Sequence, residues 1–386
     1  MPLLRINIEN ILWLGKKMLE PRLLESLYSV RVIGRSKIAK YIATKLNIDT
    51  RTAINKLKLL YKLRQNESLY LTIEYFMSRL NLKVAMIITD YSREELASKA
   101  ELRFLRSVTE IVPSGYAYSF YVPKDFELLS NLPSEVANNV NDVIEIHERI
   151  RNRTLASLYG VDSLMDLSKA LSEDSFVKLK NYMDKVFSDY YVGNSLMLGL
   201  EDASRVRFDA IDLGIIKELE KDPLASLSEI ASSLGIPLGK VRKHASEHIP
   251  YLIRGVRIAT LPIYDEVLGC SFMVVIKSRD VFTVARVLEG LVTHPLFASA
   301  GLRLDRGEGV VFVVSPFFLV KYLLKFLELL GMEWGFEVIN DRVRLMLLSF
   351  TGKYTIPYRK WEEYVPKMSW NVEDLKKIFR GGKSGG

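Results

Sequence analysis

Apolar residues fall at helical spacing in the first part of the chain. Leu23–Val30 reads as one amphipathic helix. Ser36 is placed to cap a second that runs to Leu46, and Asn47-Ile48-Asp49 is a turn-prone break. Thr50 then opens a third helix whose Ala53, Leu57 and Leu60 share one face. Gln65–Ser68 reads as a turn and Leu69–Tyr75 as a strand, so the three helices end in a wing. The pattern then changes: Leu82–Thr89 is an apolar strand, Arg93–Leu105 a helix, and Ser107–Val112 and Tyr116–Val122 flank the turn Pro113-Ser114-Gly115. Pro133–Tyr191 is rich in acids and reads as helices. Further on, Cys270–Lys277 is a strand and Asp280–Thr293 a helix. Leu302–Leu304 and Val310–Ser315 flank a Gly-containing turn. Pro316–Gly331 is a helix, and Phe336–Leu348 a last strand or hairpin.

These two runs are related. Ile42–Ile48 (IATKLNI) aligns with Ile230–Ile236 (IASSLGI) at an offset of 188, and at that offset, without a gap, Leu82–Thr89 falls on Cys270–Lys277. A constant offset points to a duplicated unit of a helical reader followed by an α/β domain.

Charge sharpens the picture. The net charge is +8, and the window Arg31–Arg64 holds ten basic residues against Asp49, a net +9, so the remainder sums to −1. A basic concentration on a helix-turn-helix pattern suits a polyanion. Arg35, Lys37, Thr50, Arg51, Thr52, Asn55, Lys56 and Lys58 are the candidate DNA contacts, with Arg51 and Asn55 suited to base edges and Lys58 to phosphate. The second window, Leu224–Arg257, is only +3, with Lys240, Arg242 and Lys243 as its candidates. At 386 residues and 48% apolar the chain is long enough for two or three domains. One cysteine excludes an intrachain disulfide and fits a cytoplasmic protein. No stretch reads as a signal peptide or membrane span.

The run Phe208-Asp209-Ala210-Ile211-Asp212, Ile215-Ile216, Leu219, then Leu227–Ile236 and Val241 resembles the Lrp/AsnC family of transcription regulators. Pro237-Leu238-Gly239 departs from the small hydroxyl residues usual there, and His244 stands where the family often has arginine. The resemblance implies an α+β chain: two winged or helix-turn-helix domains, each followed by a ferredoxin-like βαββαβ sandwich. Residues 1–75 form the first reader, 76–132 the first sandwich, 133–204 a helical spacer, 205–260 the second reader, 261–350 the second sandwich and 351–386 an extension with a flexible tail. It further implies a sequence-specific regulator of double-stranded DNA acting as an intramolecular pseudo-dimer, with an amino-acid-like effector and homo-oligomers as family properties.

Three other readings compete. His244-Ala245-Ser246-Glu247-His248 matches an inverted zinc-protease motif, but it lies inside the reader's third helix, and the other copy has Lys56 and Leu60 in place of the histidines. No metal, cofactor or catalytic residue is therefore expected. An architectural or segregation protein would share every feature named. Siroheme decarboxylases resemble paired Lrp-type modules and hold a porphyrin between sandwiches. His294 is the only histidine expected in a sandwich here, so the chain is expected not to be an enzyme.

Overall fold

The computed structural model describes residues 21–65, 70–100, 105–112, 114–153, 155, 158–159, 172–188, 196, 208–259, 269–339 and 344–347. The extension 351–386 lies outside them. Three helices open the chain: α1 (Pro21–Leu27), α2 (Arg35–Leu46) and α3 (Thr50–Gln65), followed by strand β1 (Tyr70–Tyr75). They enclose a core of Leu23, Leu27, Ile38, Ile42, Ala53, Leu57 and Leu60. Two caps differ from expectation. Gly34, not Ser36, precedes α2, at a φ of 89° that glycine adopts without strain. Asp49, not Thr50, caps α3: its carboxylate accepts the Thr52 backbone N–H (2.8 Å) and the Thr52 hydroxyl (2.5 Å).

Next come β2 (Leu82–Thr89), α4 (Arg93–Lys99), β3 (Leu105–Val112), β4 (Tyr116–Pro123), α5 (Ser134–Ala137), β5 (Val140–Ile146) and β6 (Glu148–Arg151). Residues 140–151 were expected in a helical spacer and are instead two strands. Ile144, Ile146 and Ile150 alternate onto a buried face, a period of two that favours a strand despite the charges between them. Of the expected spacer, α6 (Glu173–Ser188) is helical.

The second helical unit is α7 (Ala210–Lys221), α8 (Leu227–Leu234), α9 (Leu238–Glu247) and the short α10 (Ile249–Leu252), followed by β7 (Ile253–Ala259). Capping boxes start both α7, through Asp209 and Asp212, and α8, through Ser226 and Glu229. Gly235 ends α8 in the left-handed region, as Asn47 ends α2. The chain continues through β8 (Gly269–Lys277), α11 (Val281–Leu291), β9 (Phe297–Arg303), β10 (Glu308–Pro316), α12 (Phe317–Trp334), β11 (Glu337–Val338) and β12 (Arg344–Leu347). The turn expected around Asn340-Asp341 lies outside the described residues.

Two sheets organise the molecule. β1 and β7, one from behind each helical unit, pair antiparallel as a two-stranded ribbon, with Tyr70 opposite Ala259 and Tyr75 opposite Ile253. The large sheet runs β5-β2-β4-β3-β12-β8-β10-β9-β6, with β11 also on β8. Its two end strands are consecutive in the chain, joined by His147, so the ends of the sheet meet. Ile146 packs on Gly301 there, so tightly that an added Cβ would lie 2.5 Å from its side chain. Val84, Met86, Ile88, Ile144 and Ile146 share one core with Met273, Val275 and Val310 from the other half of the sheet. On the opposite faces, Ala85 and Ile87 join a core with Leu96 and Val136, while β8 and β10 pack with α6, α11 and α12.

Candidate nucleic-acid interface

Helix α3 turns Ala53, Leu57 and Leu60 inward and leaves Thr50, Arg51, Asn55 and Lys58 exposed, with Lys56 half-buried. Spacings of four and three residues place Arg51, Asn55 and Lys58 along one outer face. Lys37, Lys40 and Lys45 are exposed on α2. Two predicted contacts are otherwise engaged. The Thr52 hydroxyl is held by Asp49, whose own pKa lies below the ordinary value because Thr52 donates to it. Arg35 reaches the second helical unit: its Nε donates to the Leu224 carbonyl at 2.9 Å and Nη2 lies 3.5 Å from Glu229. It ties the readers together.

In the second unit Lys240, Arg242 and Lys243 are all exposed on α9, while Val241, His244 and Ala245 are buried. Gly239 has open space around it. The two imidazoles do not decorate an outer face. His244 and His248 both turn inward, their Nδ1 atoms each 2.9 Å from an oxygen of the fully buried Asp212 carboxylate on α7. Glu247, the third member of the protease-like pattern, is exposed. A hydrolytic arrangement needs that carboxylate beside the metal-bound water, so the motif reading fails on geometry.

Behind the readers lies a group of buried charges that the sequence reading did not collect. Glu74 on β1 accepts from Arg257 Nε (2.7 Å), the Arg151 backbone N–H (2.6 Å) and Arg153 Nη2 (3.4 Å). Burial would raise its pKa, but the guanidiniums of Arg257, Arg153 and Arg254 outweigh this and hold it at about 2. Glu148 accepts from the backbone N–H groups of Met77 and Ser78 and pairs with Arg254 at 2.9 Å. Arg79 and Arg254 also lie over the Phe76 ring, 4.1 and 4.4 Å from its centroid. Two acids 74 residues apart thus recruit arginines from both halves, a clustering that no local motif announces. The cavity beside them, lined by Glu74, Tyr121, Arg149 and Arg151 among others, measures about 20 Å³. That is room for about one water, so nothing the size of a porphyrin fits there in this arrangement. His147 also belongs to the large sheet, where its Nδ1 accepts from the Leu304 N–H (3.3 Å), so His294 is not the sole histidine there.

Residues 208–247 match the family model described as winged helix-turn-helix DNA-binding, and the chain carries such a domain there. Among the described residues no helix is long and apolar enough to cross a membrane. No curated protein sequence matches the chain. Among solved structures, the siroheme decarboxylase NirDL is similar over 93% of this chain and 98% of its own, at 13% identity and a TM-score of 0.47. The same enzyme in co-complex with an iron-uroporphyrin III analogue covers 96% of this chain and 99% of its own, at 13% identity and a TM-score of 0.43. This corrects the expectation that the chain is not an enzyme. A likeness at this level assigns no activity to this chain.

Proposed function

We propose that the chain is a sequence-specific regulator of double-stranded DNA in which one polypeptide presents both readers as an intramolecular pseudo-dimer. The observation that carries this reading is the β1–β7 ribbon. At the 188-residue offset Tyr70 falls on Ile258 and Leu71 on Ala259, and in the ribbon Tyr70 pairs with Ala259 and Leu71 with Ile258. That is the pairing a twofold axis through the ribbon would produce. The large sheet supports the same relation. Each run of four, β5-β2-β4-β3 and β12-β8-β10-β9, places its strands in the order fourth, first, third, second, the order of a ferredoxin-like βαββαβ unit. Each run's second strand pairs with a late strand of the other half, β3 with β12 and β9 with β6.

Because the two reader helices differ in sequence, the preferred site need not be a palindrome. Arg51 and Asn55 on α3 suit base edges, and Lys58, Lys240, Arg242 and Lys243 suit phosphates. An amino-acid-like effector and higher homo-oligomers follow from the Lrp/AsnC resemblance alone, and a cytoplasmic location from the single cysteine.

Binding of duplex DNA measured against salt tests this. With six or so of the Arg31–Arg64 cations on phosphates, affinity should fall roughly a thousandfold or more between about 50 and 200 mM salt. A binding constant flat over that range would sink the reading. Equal affinity for every duplex tried would assign an architectural role instead.

A further inference from the structure

We propose that Asp212, His244 and His248 form a binding site for a divalent transition metal of the zinc class, a structural tie between α7 and α9. His244 and His248 stand one helical turn apart on α9 and converge on a single carboxylate from a different helix. Their ring centroids are 4.9 Å apart and their planes nearly perpendicular. One ligand atom from each of the three residues lies within 4.8 Å of the others. A tetrahedral zinc with bonds of about 2.0–2.1 Å to nitrogen and oxygen holds its ligand atoms roughly 3.3 Å apart. The two 2.9 Å contacts go to different oxygens, Oδ1 for His244 and Oδ2 for His248. With one oxygen as ligand, its 2.9 Å contact opens by a few tenths of an ångström while the other ligand separations, all within 4.8 Å, close toward that value.

The carboxylate is already oriented. Asp212 Oδ2 accepts the Asp209 backbone N–H at 2.9 Å through the capping box, and Asp209 Oδ1 lies 3.6 Å from His244 Nδ1. A ligand held by a hydrogen bond to the backbone loses little freedom when metal arrives. Metal takes the place of the hydrogen between each Nδ1 and the carboxylate: a neutral ring then carries its single proton on Nε2, and a ring that was protonated on both nitrogens releases one proton to solvent. Three protein ligands leave a position for water, but exposed Glu247 is not there to activate it, so the site is a fastener.

The three residues also occur as a set. At the 188-residue offset the first reader has Leu24, Lys56 and Leu60 in their places, so the second reader differs from its counterpart at all three positions. A buried carboxylate needs one cationic partner; two imidazoles turned inward on it are what a two-histidine, one-carboxylate site requires. Metal there would fix α9, with Lys240, Arg242 and Lys243, against α7. That consequence for DNA rests on the proposed function, whereas metal binding does not.

The test is Co²⁺ titration of the full chain, read by visible absorption, followed by competition with Zn²⁺. One Co²⁺ per chain with ligand-field bands, displaced by one equivalent of Zn²⁺, is expected, together with a zinc-dependent rise in unfolding temperature that a chelator reverses. His248→Gln is the safest variant, since its side chain is 30% exposed while Asp212 is wholly buried. It should weaken cobalt binding at least tenfold with little change in the metal-free unfolding temperature, and Asp212→Asn should do the same to binding. Absence of cobalt bands in the unmodified chain, or equal binding by His248→Gln, would overturn the site and leave a hydrogen-bonded trio. A chain that binds cobalt but no duplex DNA would refute the regulator and leave the metal site standing.

Discussion

Glu74 on one strand of the ribbon and Arg257 on the other meet as a buried ion pair, Nε donating to Oε2 at 2.7 Å, although 183 residues separate them in sequence. Both are almost wholly inaccessible, 5% and 1% exposed. The pair joins the two readers to each other and, through Arg153 and the Arg151 backbone, to the large sheet.

Removing one partner leaves the other charge buried alone. Glu74→Gln should therefore destabilise the chain by about 3–5 kcal/mol in denaturant unfolding, whereas Glu74→Met with Arg257→Met should cost much less. A loss below about 1 kcal/mol for the single variant would show that water reaches Arg257. Because the folded pKa of Glu74 lies near 2, below the ordinary 4.5, its contribution is complete above pH 4.5. It disappears as the pH falls from there to about 2.

His294 makes the chain acid-sensitive at a higher pH. It is buried between Tyr159 and Phe176, and its Nε2 is 2.8 Å from Ser175 Oγ. Burial pushes its pKa down to about 3. Below the ordinary value of 6.5 the unfolded imidazole takes up a proton that the folded one refuses, so stability should decline from about pH 6.5 toward pH 3. His294→Leu should be less stable at pH 7 by about 1–3 kcal/mol, since the Leu296 N–H loses its acceptor, but its stability should vary less over that window. An unchanged slope in denaturant midpoints against pH would assign the acid loss elsewhere.

At Gly255 a ribbon strand lies directly against the backbone of the first helical unit. A Cβ there would lie 2.1 Å from the Tyr28 carbonyl oxygen, which is backbone and cannot swing aside. Gly255→Ala should lower stability by about 1–3 kcal/mol or more and loosen α1 from β7, seen as faster amide exchange in α1. A neutral effect would mean that the loop after α1 yields freely.

The two readers should contribute unequally to DNA binding. Replacing Arg51, Asn55 and Lys56 with alanine should cost more affinity than replacing Lys240, Arg242 and Lys243, because the first window carries +9 and the second +3. Arg51 or Asn55 alone should relax sequence preference, while Lys58→Ala should lower the salt slope by about one. Equal losses from the two triples would remove charge as the basis of the asymmetry.

The second reader was legible because its punctuation is local. Asp209, Ser226 and Glu229 cap helices within three residues of themselves, and Gly235 stops α8 in a backbone conformation that glycine favours. The first reader's three helices were anticipated, the first of them displaced from its observed span Pro21–Leu27, but two caps were not: Ser36 stands two places after Gly34 and Thr50 one place after Asp49, both inside their helices. The strands at 140–151 were missed because Glu148 stands at an inward position of the series Ile144, Ile146, Ile150 and breaks its apolar run. Glu148 is buried because Arg254, about a hundred residues later, neutralises it, a compensation no local window contains. For the same reason the cross-pairing of β1 with β7 could not be read from spacing alone, whereas His248, which falls on inward-facing Leu60 at the 188-residue offset, already stood at a core position.

The strand pair at 140–151 has a consequence for how the chain is made. His147 hands the backbone from one end of the large sheet to the other, so β5 and β6 serve opposite ends, and β3 waits for β12, among the last residues described. A nascent chain that has produced only its first half therefore holds β3, paired on β4, with its other edge open, and a strand, β6, with no partner yet synthesised. Such open edges template association between neighbouring chains, and non-local pairing of this kind closes slowly. Synthesis should pass through a sticky interval that ends only when residues 344–347 leave the ribosome, and slow translation should lower the yield of this protein more than that of one whose halves close independently.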